Sequence, residues 1–481
     1  MVTRRQLLKF SAIGFASFSV PIAYSGISTK TIVDNTQLPI GGLLELYVPN
    51  FKKNAIFVED FGPTDTPKNT KATMQKAIDY CAAKSLVLRN RSMEYTIDVS
   101  DTGIKIPNNF ICDFGGAWIK RAIGSKTPHD MWTNSDQITG NTGIIICGVR
   151  FDGQAVLDDL SNKFPEHRFC GLRLVRCEGR LISVQVDGTC NGEIQPEGTR
   201  GGILLENSVF MDCYEIRADN NLGTGFFIIG GKGKLTNYKS SNNSGSGLSG
   251  IQPGWFFESL SSIGSGYSGI SLNGPGWVAH GIYGAKAAVG FAGVNFGHAL
   301  PVSSNAVGGV ASNVIAENNY GWGINVTSSP GIQGDNWLAR NSGDNNIRII
   351  MSPGSKIKLK SENAGANGLL IIGAGYYEIS ANISGSKASG IYGRNGAEIV
   401  ISPDSVIDGN GSNGGLVAEI TLDTKSKASV AGKVINGKAY GVQSSDSSVV
   451  TISGGVIENN ALGNMRESTG GVVRYEGGRT K

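Results

Sequence analysis

The sequence predicts an all-β protein, a single-stranded right-handed parallel β-helix of about twelve to fourteen coils with an N-terminal capping helix. Three observations predict it. Glycine numbers 69 of 481 residues, about 14% and roughly twice the usual share, without the three-residue period of collagen. A glycine followed by an apolar run recurs at steps near 22 residues. One amphipathic helix pattern stands near the front, where a solenoid needs its open end covered.

The elements follow in order. Residues 3–9, "TRRQLLK", begin a stretch with a basic start, an apolar middle and the small-residue triplet Ala23-Tyr24-Ser25. That pattern predicts an export signal over residues 1–25 and a periplasmic or extracellular destination. The paired Arg4 and Arg5 resemble the twin-arginine class, with an ordinary secretory signal as the alternative. The net charge of +4 owes three charges to Arg4, Arg5 and Lys9. The remainder is nearly neutral and has no basic stripe, which argues against a nucleic-acid partner. No apolar run outside the signal reaches membrane-spanning length, so no stable membrane insertion is expected after signal removal.

Residues 26–55 read as a linker, and residues 56–121 as the cap and first coils. Met74, Ala77, Ile78, Cys81 and Ala82 recur at three- and four-residue spacing, which places them on one face of a helix over 70–84. Thr66 or Thr70 serves as N-cap, and Pro67 suits the first turn. Such a short helix needs a surface to pack on, here the strands of "SLVLRNRSMEYTID" and "GIKIPNNFICDFGGAWIKRA".

Residues 122–481 read as the body of the solenoid, with insertions at 152–170 and 298–313. The repeat begins at Gly202, Gly225, Gly247, Gly269, Gly293, Gly323, Asn346, Gly368, Gly390, Gly415, Gly441 and Gly471, with weaker copies at Gly143 and Gly171. The period is too short for a propeller blade, and the leucine-rich repeat core is missing. Asn precedes many of the glycines, as in Asn220-Asn221, Asn242-Asn243, Asn318-Asn319, Asn341, Asn363 and Asn459-Asn460. Asn tolerates left-handed turns, and its amide can bond to an Asn stacked on the next coil. Seven cysteines, at 81, 112, 147, 170, 177, 190 and 213, form no even framework and no C-x-x-C pair. They read as buried positions, with disulfides left open. No metal and no cofactor is expected.

"FVEDFGPTDTPKNTKATMQKAID" resembles the opening motif of pectate-lyase-like right-handed β-helix proteins, which include phage tailspikes and polygalacturonase relatives. The resemblance implies this fold and a polysaccharide partner, and the tailspike relatives imply a homo-oligomer. "GPTDTP" stands in place of the usual Gly-Asp-Gly, and the polygalacturonase Asn-Thr-Asp, Asp-Asp and Gly-His-Gly set is absent. The fold therefore carries over and a pectin substrate does not.

The candidate site comes from a duplicated triplet. Pro253-Gly254-Trp255 recurs as Pro275-Gly276-Trp277, 22 residues on. Trp255 and Trp277 would stack as a platform for sugar faces, with Asp335 as a further substrate contact. Three residues after each Trp stand Glu258 and His280, expected side by side and outward as an acid–base pair. His298, in the long repeat "GVNFGHALPVSSNAVGGVASN", is the third catalytic candidate. Further carboxylates could come from Glu206, Asp212, Asp219 or Asp344. The expected function is cleavage of a bacterial surface or extracellular polysaccharide, by β-elimination or glycoside hydrolysis. A non-catalytic polysaccharide-binding or export-assisting protein of the cell envelope is the alternative.

Overall fold

The chain winds into a right-handed parallel β-helix, seen in a computed structural model that describes residues 55–480 apart from 125–128, 160–167, 192–200, 210, 298–305, 413–416 and 478. Two parallel sheets make its walls, a broad one of 24 strands and a narrow one of 15. The right-handed sense is the normal one for parallel strands joined by crossovers. In a typical coil the narrow sheet contributes a short strand such as Leu248–Ile251, and the broad sheet a longer one such as Phe256–Ile263. The longer strand bends at its middle. Its corner residue is left-handed in successive coils, at Asn237, Ser259, Gly281, Asn313 and Asn336. Among the described residues no helix is long and apolar enough to cross a membrane.

The repeat read from the glycines is the narrow sheet. Ile203, Phe226, Leu248, Ile270, Val294, Ile324, Ile347, Leu369 and Ile391 form one inward column, each next to its repeat glycine or Asn346. Three assignments need correction. The strand after Gly143, Ile144–Asp152, belongs to the broad sheet. So does Val472–Tyr475 after Gly471, while Gly463–Glu467 is the strand that stacks on Tyr440–Ser444. Gly415 lies outside the described residues, and Ile420 is the residue stacked on Ile391. The cause is shared: a glycine before an apolar run marks any turn into a strand, whichever wall that strand joins. Glu419 thus takes the place of a glycine. It is buried and accepts a bond from the Asn410 backbone N–H at 2.7 Å, and burial pushes it up to about 7.

The asparagines hold the corners. Asn220, Asn242, Asn318, Asn341, Asn363 and Asn459 all have φ between 53° and 59°. The Asn363 amide donates to Asn341 at 3.3 Å, and Asn341 to Asn318 at 3.2 Å. Inside the wall, Asn221 donates to Asn243 at 2.9 Å. The helix α1, Pro67–Lys84, closes the N-terminal end. Thr66 caps it by accepting from the Asn69 N–H at 3.2 Å. Met74, Ala77, Ile78 and Cys81 are fully buried against the first coils. The six cysteines whose side chains are described are all buried free thiols.

Of the second expected insertion, residues 298–305 lie outside the described residues, Ala306 is buried, and a regular strand begins at Val310. The first rejoins the coil at Arg168–Phe169, which pairs antiparallel with Cys190–Asn191 in a small side sheet. The expected export signal and most of the linker lie outside the described residues.

Candidate functional site

Glu258 and His280 do occupy one register position of the broad sheet, and the column runs on through Ser312 to Asp335. Their side chains address opposite neighbours. The Glu258 carboxylate meets Lys234 of the preceding coil at 3.1 Å. His280 Nδ1 lies 2.8 Å from the Ser312 hydroxyl, and its Nε2 lies 3.2 Å from the Asn313 amide. Asp335 is exposed one coil further, and His298 lies outside the described residues.

The tryptophan platform is overturned. Trp255 is 1% exposed and Trp277 0%, both inside the solenoid. Gly254 and Gly276, at φ of 67° and 69°, turn the chain so that the next side chain opens the inward column. Trp255 stacks near Phe257 at 6.1 Å, and Trp277 on Phe296 at 5.1 Å, with Trp337 following. Strand alternation requires this arrangement: positions three apart face opposite sides, so an outward Glu258 demands an inward Trp255.

The most perturbed accessible carboxylate lies elsewhere. The strands Ile144–Asp152, Gln185–Asp187 and Arg217–Asp219 each end in aspartate, and the three residues stack in register. Adjacent members stand about 4.8 Å apart, the strand spacing. Asp219 is buried and held by the Arg217 guanidinium and the Ser241 hydroxyl, the latter at 2.6 Å. Asp152 accepts from the Gln154 N–H at 2.9 Å. Asp187 accepts one bond from the Gln185 amide at 2.8 Å, and its buried Oδ1 has no hydrogen-bond partner among the described residues. Burial pushes Asp187 up to about 6; Gln185 opposes this, and the Asp219 charge adds to it. The ladder therefore pairs a carboxyl that keeps its proton in mildly acidic solution with a neighbour fixed against an arginine.

The sequence signal for this ladder is a triplicated strand ending, Val149–Gly153 "VRFDG", Val184–Gly188 "VQVDG" and Ile216–Asn220 "IRADN". Its steps of 35 and 32 residues fall outside the 22-residue period, because connections to Arg168 and Gly201 intervene. Only Asp219 was a sequence candidate. The others are engaged: Glu206 by Arg173, Asp212 by Arg180, and Asp344 by the Trp322 indole at 2.8 Å. Among the described residues no group of three His, Cys, Asp or Glu could hold a metal ion.

No known protein-family profile matches the chain, and no curated protein does. Solved structures do. The pre-mature form of bacteriophage phi29 gene product 12 is similar at 14% identity and a TM-score of 0.51, over 88% of this chain and 73% of that one. Its N-terminal fragment is similar at 13% identity and a TM-score of 0.50, over 88% and 92%. The A-module of the Azotobacter vinelandii mannuronan C-5 epimerase AlgE6 is similar at 15% identity, with a TM-score of 0.36 over 88% and 99%. At these identities the likeness is one of fold, and the fold shared is the parallel β-helix.

Proposed function

We propose that this chain is an exported polysaccharide-cleaving protein whose acid–base chemistry sits at the Asp152–Asp187–Asp219 ladder. The observation that carries this reading is Asp187, a carboxyl pushed up to about 6 by burial, beside the arginine-held Asp219. Glycoside hydrolysis uses such a pair, one carboxyl protonated to donate to the leaving oxygen and one ionised. In-register pairing sets the two residues on adjacent strands, ~4.8 Å apart along the stack. Asp187 acts as the acid, and Asp219, ion-paired with Arg217, as the partner carboxyl.

The alternative reading, a non-catalytic polysaccharide binder of the cell envelope, separates from this one in a single experiment. Purified protein is incubated with bacterial capsules and exopolysaccharides. Reducing ends report hydrolysis, and ultraviolet absorbance of unsaturated products reports elimination. Reducing-end release that disappears in Asp187→Asn supports the ladder; elimination products or binding without release would replace it.

A further inference from the structure

A different face of the broad sheet carries a concave feature that the ladder does not use. At the strand Gln333–Arg340 the regular pairing breaks: Gly334 pairs with Ile357 and Trp337 with Leu359, so Asp335 and Asn336 together oppose the single residue Lys358. This is a β-bulge, a device that re-aims side chains and recurs beside functional sites. Gly334 is required there, since a Cβ at this position would meet the buried Trp337 ring at 2.6 Å. Directly beside the bulge a shallow groove of about 420 Å³ is lined by residues of four successive coils.

The groove has the composition of a sugar site. Tyr376, 45% exposed, supplies an aromatic face at its wall. Lys356 and Glu378 form an ion pair at 3.0 Å along one side. Ser380, which donates to Asp404 at 2.9 Å, lies on the other. Lys358 points outward between them, where its charge acts on Asp404. Cations and carboxylates alternate, so the groove has no strong field of one sign. Fixed donors and acceptors around an aromatic face suit sugar hydroxyls and an apolar ring face.

We infer that this groove is a second saccharide-binding site, which holds an uncharged segment of the polymer while cleavage occurs at the aspartate ladder. The inference rests on the reading of the chain as a polysaccharide-acting protein. The groove strand Ser355–Glu362 lies six coil steps from the strand of Asp219, roughly 29 Å at the strand spacing. Only a chain of several sugars can reach both. Short fragments therefore meet the ladder alone, and polymer meets both sites.

Affinity electrophoresis tests this with native gels containing dextran, starch or galactomannan, and alginate as the acidic control. The expected result is retardation in at least one neutral gel, insensitive to added salt. Tyr376→Ala should weaken it roughly three- to tenfold. Lys358→Met, which keeps the aliphatic stem, should weaken it as well. Unaltered thermal melting of the two groove variants separates lost contact from lost fold. No retardation in any neutral gel, retardation only in alginate that salt abolishes, or full retardation of Tyr376→Ala would each overturn the assignment. Because reducing-end release by Asp187 is scored separately, a failure here leaves the cleavage reading standing, and the reverse also holds.

Discussion

Asp187→Asn should make the protein more stable and inactive at once. Burial holds Asp187 near 6 against an ordinary 3.8. Each unit is worth about 1.36 kcal/mol, so a fully shielded group would cost about 3 kcal/mol once ionised. Asp187 is only partly buried by its accessible surface, and solvent screening reduces this to about 1–2 kcal/mol. The sign follows from linkage. The folded chain binds the proton more tightly than the unfolded chain, so the contribution is complete below 3.8 and is lost as pH rises through about 6. The amide variant has no such loss. Its advantage over the parent should be near zero at pH 4 and reach about 1–2 kcal/mol at pH 7.5, read as a rise of a few degrees in melting temperature. Turnover should fall by about 10²–10⁴, the usual contribution of a general acid. Melting curves at the two pH values and a reducing-end assay measure both effects. Turnover near the parent level would refute the acid role. A melting difference equal at both pH values would refute the burial argument.

Other outcomes follow from the same geometry. Ile78→Ala, under the capping helix, should cost about 2–5 kcal/mol in urea unfolding; a cost near zero would show that the helix does not seal the first coil. Trp277→Ala should cost about 3–5 kcal/mol through a core cavity, and a stable variant with selectively lost sugar binding would restore the surface platform. Changing Arg4 and Arg5 both to Lys should hold the precursor in the cytoplasm, as fractionation would detect. Normal export of that variant would leave a general signal.

Much of the fold was legible because a solenoid repeats its local physics. Gly225, Gly247 and Gly269 each precede the inward column of their coil, and the Asn residues at 242, 318 and 341 mark left-handed corners that favour asparagine. The cap was legible from the three- and four-residue spacing of Met74, Ile78 and Cys81. The paired register of Glu258 and His280 followed from their identical position in two 22-residue repeats. The duplicated Pro-Gly-Trp marks a core position and not a surface, because alternation places Trp255 opposite to the outward Glu258.

By itself, the sequence determined the repeating coil, its turn chemistry and its helical lid, since each depends on contacts within one repeat or between adjacent copies of it. Only the tertiary structure decided which strands share a wall and which side chains meet. Asp152, Asp187 and Asp219 are 35 and 32 residues apart and become neighbours because the strands they end pair in register on successive coils of the broad sheet. The bulge at Asp335 likewise arises from a one-residue mismatch between two coils, and the groove at Tyr376 is lined by residues far apart in sequence that stacking brings together. Burial depth, and with it the proton held by Asp187, is a property of that stacking and has no counterpart in the local sequence.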